Sequence, residues 1–240
     1  MKRAVQPPFF IDLIHSGAYI FSMKIIDLTH TLEEGMPVYP GTEPPLLKQA
    51  NTIREHGFAE KLITMFSHTG THMDAPSHIL EGRKSLSDID VNNLYGKACL
   101  VDVSAVKGKI TADLLKGYED KLRKSQIAVF YSGWDRYWGE EKYFNDFPVM
   151  DIPAAEYLVS TGVKGLAVDV ISVDSVDCVN LDVHRVLFKS EMFVAENLRG
   201  LDRLAGLDFH LGIFPLNIPN GDGSPVRALA FLPEHGSPEE

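Results

Sequence analysis

The chain has 240 residues, 45% of them hydrophobic and 23% charged. That length suffices for a sizeable core in one large domain or two small ones, and the composition weighs against wholesale disorder. Lysine and arginine number 23 against 33 aspartates and glutamates, a net charge of −10, and no basic run exceeds two residues; this argues against nucleic acid and anionic membrane as partners.

In chain order, the first 22 residues come first. Lys2 and Arg3 ahead of apolar residues have a faint look of a signal peptide, but Pro7, Pro8, Asp12 and His15 interrupt the apolar stretch. No run approaches the roughly 18 apolar residues of a spanning helix. Residues 1–22 read as an extension, 23–232 as a single domain beginning near Met23, and 233–240 as a tail. Only Cys99 and Cys178 occur, with no CxxC pair. They read as buried, reduced thiols of a cytoplasmic protein.

Short β-rich runs recur at 24–28, 60–67, 98–103, 127–131, 165–170, 211–215 and 226–232. The run from Glu60 alternates, with Leu62, Thr64 and Phe66 on one face, as a half-buried strand does. The runs at 98–103 and 165–170 read as fully buried. Between them lie helix signals: Thr111 as a cap for a helix through Leu115 that Gly117 ends, Pro153 opening a helix that runs to Gly162, and Asp182 capping a helix that carries His184, Leu187 and Phe188. A short turn is expected at 202–205. The mixture predicts an α/β fold. Its spacing is too irregular for a TIM barrel, and no GxGxxG follows a strand.

The chemistry concentrates in Ser67-His68-Thr69-Gly70-Thr71-His72-Met73-Asp74-Ala75-Pro76-Ser77-His78. Three histidines of the chain's nine, and one aspartate, fall within eleven residues. Gly70, Pro76 and the β-branched threonines oppose a helix, so a strand ending near Ser67 followed by a tight loop is expected. Imidazole and carboxylate suit Zn²⁺ or Mn²⁺, and with no cysteine in the cluster a catalytic metal site is favoured over a structural one. Tyr131, Trp134, Tyr137 and Trp138 are more simply core and surface aromatics than a pocket. Gly221-Asp222-Gly223 reads as a turn. No GxSxG elbow is present, which disfavours a serine hydrolase.

The segments 27–41 and 68–78 resemble the signature of the metal-dependent cyclase/hydrolase family that includes bacterial kynurenine formamidase and isatin hydrolase. Val183-His184-Arg185-Val186-Leu187 and Ala195-Glu196-Asn197-Leu198 resemble its second ligand region. Phe214-Pro215-Leu216 and Gly223-Ser224-Pro225-Val226-Arg227-Ala228 resemble its C-terminal strands. The resemblance covers about residues 23–232. It implies a small β-barrel-like core flanked by helices, and a homodimer. It implies metal ligands His68, His72 and Asp74, with Asp74 bridging to a second ion held by His184 and Glu196 joining the two, so one or two divalent ions are expected. His78 is implied as the acid/base of an arylformamidase-like hydrolysis of a small amide, in which a metal-bound hydroxide attacks the carbonyl. Two zinc ions against two carboxylates and a hydroxide leave roughly +1 on such a centre, enough to hold hydroxide near neutral pH. Tyr39, in Tyr39-Pro40-Gly41, falls in a substrate-binding loop where the kynurenine formamidase branch carries a tryptophan, a departure that bears on the substrate. Other small substrates of the family, isatin or a polyketide-type intermediate, and a non-catalytic metal-binding scaffold are the competing readings.

Overall fold

The computed structural model describes residues 23–233. The extension 1–22 lies outside them, as does the tail beyond Pro233. The strands are β1 (Met23–Asp27), β2 (Leu46–Asn51), β3 (Glu60–Thr64), β4 (His72–Asp74), β5 (Tyr95–Asp102), β6 (Lys109–Ile110), β7 (Ile127–Tyr131), β8 (Val149–Met150), β9 (Gly165–Val168), β10 (Phe193–Glu196), β11 (Phe209–Pro215) and β12 (Gly223–Pro233). The helices are α1 (Ile53–His56), α2 (Ala112–Lys116), α3 (Glu119–Arg123), α4 (Ile152–Ser160) and α5 (Asp182–Lys189).

Seven strands close into a barrel in the order β12-β11-β5-β7-β9-β10-β4, because β4 pairs with both β10 and β12. Strand β1 lies along the far half of β12, on the edge that β4 occupies nearer its start. The run β5-β7-β9-β10 is parallel. Parallel neighbours require crossovers, and α2 through α5 fall within these connections. The mixed α/β fold with a barrel core and few helices agrees with the sequence expectation.

Period-two alternation divides the barrel wall into two faces. Ile127 and Val129 of β7, Ala167 of β9, Phe193 and Ala195 of β10 and Met73 of β4 join the apolar interior. Ala128, Phe130, Leu166, Val168 and Val194 point the other way, into a second core beneath the helices. In that second core α4 packs against both α2 and α5. Residues two apart share a face. His72 and Asp74 flank inward-facing Met73, and Glu196 follows Val194 by two. All three therefore project from the outer wall, on the side that α5 covers.

Several local expectations need correction. The segment after Gly70 is not all loop: His72–Asp74 is a strand, followed by a 3₁₀ turn at Pro76–His78. Pairing on both sides of β4 outweighs the turn-forming signals around it. The run 98–103 is not fully buried, since Leu100 is half-buried and Asp102 exposed. Strand β3 is shorter than expected and exposed on both faces, because it pairs only with β2 in a two-stranded ribbon. Asp182 does not cap α5: Leu181 holds that position at φ +52°, with no side-chain cap of its own. Cys99 is buried, but Cys178 is only half-buried; both are free. Thr111 does cap α2, accepting from the Leu114 amide. Among the described residues no helix is long and apolar enough to cross a membrane.

Candidate metal centre

The register of β4 assembles the centre. His72 faces Glu196 across β10, and Asp74 faces Gly223 across β12. His68 arrives through the turn before β4. Thr69 Oγ1 closes this turn onto the Phe66 carbonyl at 2.8 Å, and Gly70 takes φ +66°. The His68 ring then lies against Gly223, where an added Cβ would come within 2.4 Å of the imidazole. His184 enters from α5. Its helix start is held by Asp174, whose carboxylate accepts from the Val183 and His184 amides at 2.9 and 3.0 Å.

These side chains converge. Asp74 Oδ1 lies 2.6 Å from His68 Nδ1 and 3.1 Å from His72 Nε2, while Oδ2 lies 3.7 Å from His184 Nε2. Glu196 lies 3.3 Å from His184 Nε2 through one oxygen and 3.6 Å from His72 Nε2 through the other. Two groups result, His68/His72/Asp74 and Asp74/His184/Glu196, each with ligand atoms within 4.8 Å of one another, and Asp74 belongs to both. Asp74, His72, His184 and Glu196 are buried. His78 is exposed, its ring centroid 3.9 Å from that of His68, and it belongs to neither group. It forms a third, more open group with His68 and Asp222.

The charges in this cluster act on one another. Burial pushes the His68, His72 and His184 imidazoles down, but the surrounding carboxylates together outweigh it. His68 is lifted to about 9, and His184 stands well above its ordinary value. Burial alone would raise Asp74, yet the three imidazoles hold it well below the usual carboxylate range. Glu196 is raised by burial and by Asp74. For His78 burial dominates and lowers it to about 4. Three imidazoles thus face two buried carboxylates, an arrangement that draws in positive charge.

The donor set fits a divalent cation. In all three imidazoles the nitrogen turned away from Asp74 has a partner. His72 Nδ1 meets the Gly70 carbonyl at 2.8 Å, and His184 Nδ1 meets Asp174 Oδ2 at 2.7 Å. Such hydrogen bonds fix the tautomer and leave a lone pair on the inner nitrogen. His68 Nε2 meets Asp222 Oδ2 at 3.0 Å. Asp174, Asp222 and Asn197 support the site although sequence reasoning did not single them out. Asp222 sits in a segment read only as a turn.

A cavity of about 390 Å³ opens onto the cluster. Val38, Tyr39, Phe66, Ile171 and Leu181 line it beside the imidazoles. Tyr39 OH donates to the Val176 carbonyl at 3.3 Å, tying its loop to the one before α5. Trp134 and Trp138 pack against the second core, and His30 stacks on Trp138 with ring centroids 3.8 Å apart.

An outer barrel wall with clustered imidazoles and a shared carboxylate beneath an open cavity defines a metal-dependent hydrolase. The model of the putative cyclase family matches residues 26–175, and the chain belongs to that family. A kynurenine formamidase of Geobacillus thermodenitrificans (strain NG80-2) is 33% identical over 204 residues, 85% of this chain and 95% of that protein. One from Bacillus cereus (strain ATCC 14579) is 32% identical over 205 residues, with the same coverage of each. An isatin hydrolase bound to the product analogue thioisatinate shares the fold at a TM-score of 0.80 and 25% identity, over 88% of this chain and 93% of that one. A potential metal-dependent hydrolase with cyclase activity matches at a TM-score of 0.71 and 27% identity, over 88% and 99%.

Proposed function

We propose that the chain hydrolyses the amide bond of a small arylformamide, with His68, His72 and Asp74 holding one divalent cation and Asp74, His184 and Glu196 a second. The single observation that carries this is Asp74, whose two oxygens face two different sets of imidazoles. Zn²⁺ or Mn²⁺ suits such a nitrogen-and-oxygen donor set. A bound cation supplies a Lewis acid for the carbonyl and lowers the pKa of water.

The chain's own residues do the rest. Asp174 and the Gly70 carbonyl hold the outer protons of His184 and His72, keeping their Nε2 atoms turned toward the carboxylates. Val38, Phe66 and Ile171 give an aromatic substrate an apolar wall, and Tyr39 lines the same cavity. His78 reaches the same cavity, more exposed than the other imidazoles around it. Its ring nitrogen accepts a proton from the attacking water and returns it to the leaving amine nitrogen. Water adds to the carbonyl carbon, the C–N bond breaks, and acid and amine leave.

Tyr39 favours a second reading, ring-opening of a cyclic amide such as isatin, because it stands where the kynurenine formamidase branch carries tryptophan. Steady-state assays of N-formylkynurenine, simple arylformamides and isatin, each with Zn²⁺ and with Mn²⁺, separate the two. A higher kcat/KM on the formamides supports the first reading, and preference for isatin supports the second.

The proposal extends to assembly and place. The β2–β3 ribbon and the α1 connection at its tip expose Leu46, Ile53, Phe58, Leu62 and Ile63, each at 50% or more. A lone two-stranded ribbon is marginal in water, so a second copy of the chain is its natural cover. The free Cys99 and Cys178 fit a reducing cytoplasm. Residues 23–232 would form the catalytic domain, with 1–22 dispensable for chemistry.

A further inference from the structure

We propose that Asn197 is a positioning residue that sets the orientation and tautomer of His72, with Tyr143 as its anchor. The inference rests on the reading that His72 holds a cation.

Asn197 follows Glu196 at the end of β10, with φ +58° and 2% exposure. The left-handed region is strained for a non-glycine residue, and asparagine tolerates it better than most. Here that conformation turns the side chain back toward β4. Every polar group of the residue is used. Its amide donates to the Val170 carbonyl at 3.0 Å, and its carbonyl accepts from Thr71 Oγ1 at 2.6 Å. Its Nδ2 donates to the Gly70 carbonyl at 2.9 Å, and its Oδ1 accepts from Tyr143 OH at 2.7 Å.

The amide orientation follows from donor and acceptor logic. A backbone carbonyl only accepts, so Nδ2 faces Gly70 and Oδ1 faces Tyr143, whose hydroxyl then donates. The same Gly70 carbonyl accepts from His72 Nδ1 at 2.8 Å. Asn197 Nδ2 lies 3.5 Å from that ring nitrogen. Two donors therefore converge on one oxygen, and the Asn197 amide keeps that oxygen where His72 needs it. With its proton on Nδ1, His72 presents Nε2 toward Asp74 and Glu196. Tyr143 comes from a separate 3₁₀ turn, is fully buried and packs edge-on against Trp138. The chain Tyr143–Asn197–Gly70–His72 thus ties the metal centre to a rigid aromatic wall.

The test is Zn²⁺ affinity of the chelator-stripped full chain, measured by competition with a chromophoric chelator, with Tm recorded alongside. Asn197→Gly and Asn197→Ala are each expected to weaken Zn²⁺ binding about 10–100-fold, the usual cost of losing an outer partner of a ligating histidine. Asn197→Gly relieves the left-handed strain and is expected to melt above Asn197→Ala, so affinity and stability part company. Tyr143→Phe is expected to weaken binding several-fold and to add nothing in the Asn197→Gly background. Wild-type affinity in Asn197→Gly, or in Tyr143→Phe if the glycine variant fails to fold, overturns the proposal. So does an affinity loss that tracks Tm across the variants. His72→Ala is the reference: if it loses Zn²⁺ while Asn197→Gly keeps it, this inference alone fails. If His72→Ala itself keeps wild-type affinity, the ligand reading fails and this inference with it.

Discussion

Asp174 Oδ2 lies 2.7 Å from His184 Nδ1, and both side chains are buried. The same carboxylate accepts the second and third amides of α5, which Leu181 leaves uncapped. One residue therefore starts the helix and aims the histidine that the helix carries.

Asp174→Ala removes both functions. Unsatisfied buried amides cost about 1–3 kcal/mol, and loss of the imidazole's outer partner weakens metal binding about 10–100-fold. Asp174→Asn keeps an acceptor but loses the charge, so it is expected to recover most of the stability and less of the affinity. Thermal melts and chelator titrations of the two variants check this. Equal affinity in all three proteins would remove Asp174 from the site.

His78 and His72 separate by metal content. His78→Ala is expected to retain its metal while the rate falls by roughly 10²–10⁴-fold, the usual contribution of a positioned proton shuttle. His72→Ala is expected to lose metal and activity together. Elemental analysis of the purified variants decides. Stoichiometric metal loss in His78→Ala would make it a ligand through the open group with His68 and Asp222.

His30 predicts acid sensitivity. Burial, and then the charge of Arg199, lower its pKa to about 4 from an ordinary 6.5. Its Nε2 has no hydrogen-bond partner. The folded state thus resists a proton that the unfolded chain accepts. Stability is full above about pH 6.5 and is lost as pH falls toward 4, by about 3 kcal/mol for this group. His30→Phe keeps the stack on Trp138 and removes the titration. Urea denaturation from pH 7 to 4.5 is expected to show a shallower decline in that variant, and an unchanged slope would clear His30.

The β2–β3 ribbon predicts the oligomer. Sedimentation of the full chain is expected to give the mass of two copies. Leu62→Lys with Ile63→Lys, one on each face of the ribbon, is expected to give one copy with the fold intact by circular dichroism. A single-copy mass for the unsubstituted chain would refute the pairing.

The sequence displayed some of these features and hid others for physical reasons. The His68–His78 array was legible because its donors sit close together and glycine and proline exclude a helix. His184 and Glu196 were reachable only through the family resemblance, since one histidine on an amphipathic helix looks like any other. The β4 segment reads as loop in the sequence because its stability comes from pairing with β10 and β12, over 100 residues away. The double exposure of β3 could not be seen, because alternation marks two faces without saying that neither is covered. Asp174, Asn197 and Asp222 act through contacts spanning 10, 127 and 154 residues, which no local pattern encodes.

The central claim is that catalysis depends on cations held around Asp74. Its most direct test is to strip the full chain with a chelator, add back Zn²⁺ or Mn²⁺ stepwise, and follow bound metal and arylformamide hydrolysis together, with Asp74→Asn in parallel. Activity is expected to vanish on stripping and to return in proportion to metal bound, saturating at two ions per chain, while Asp74→Asn stays inactive and binds far less metal. Full turnover by the stripped chain, or an Asp74→Asn variant that binds metal and hydrolyses as the unsubstituted chain does, would contradict the account.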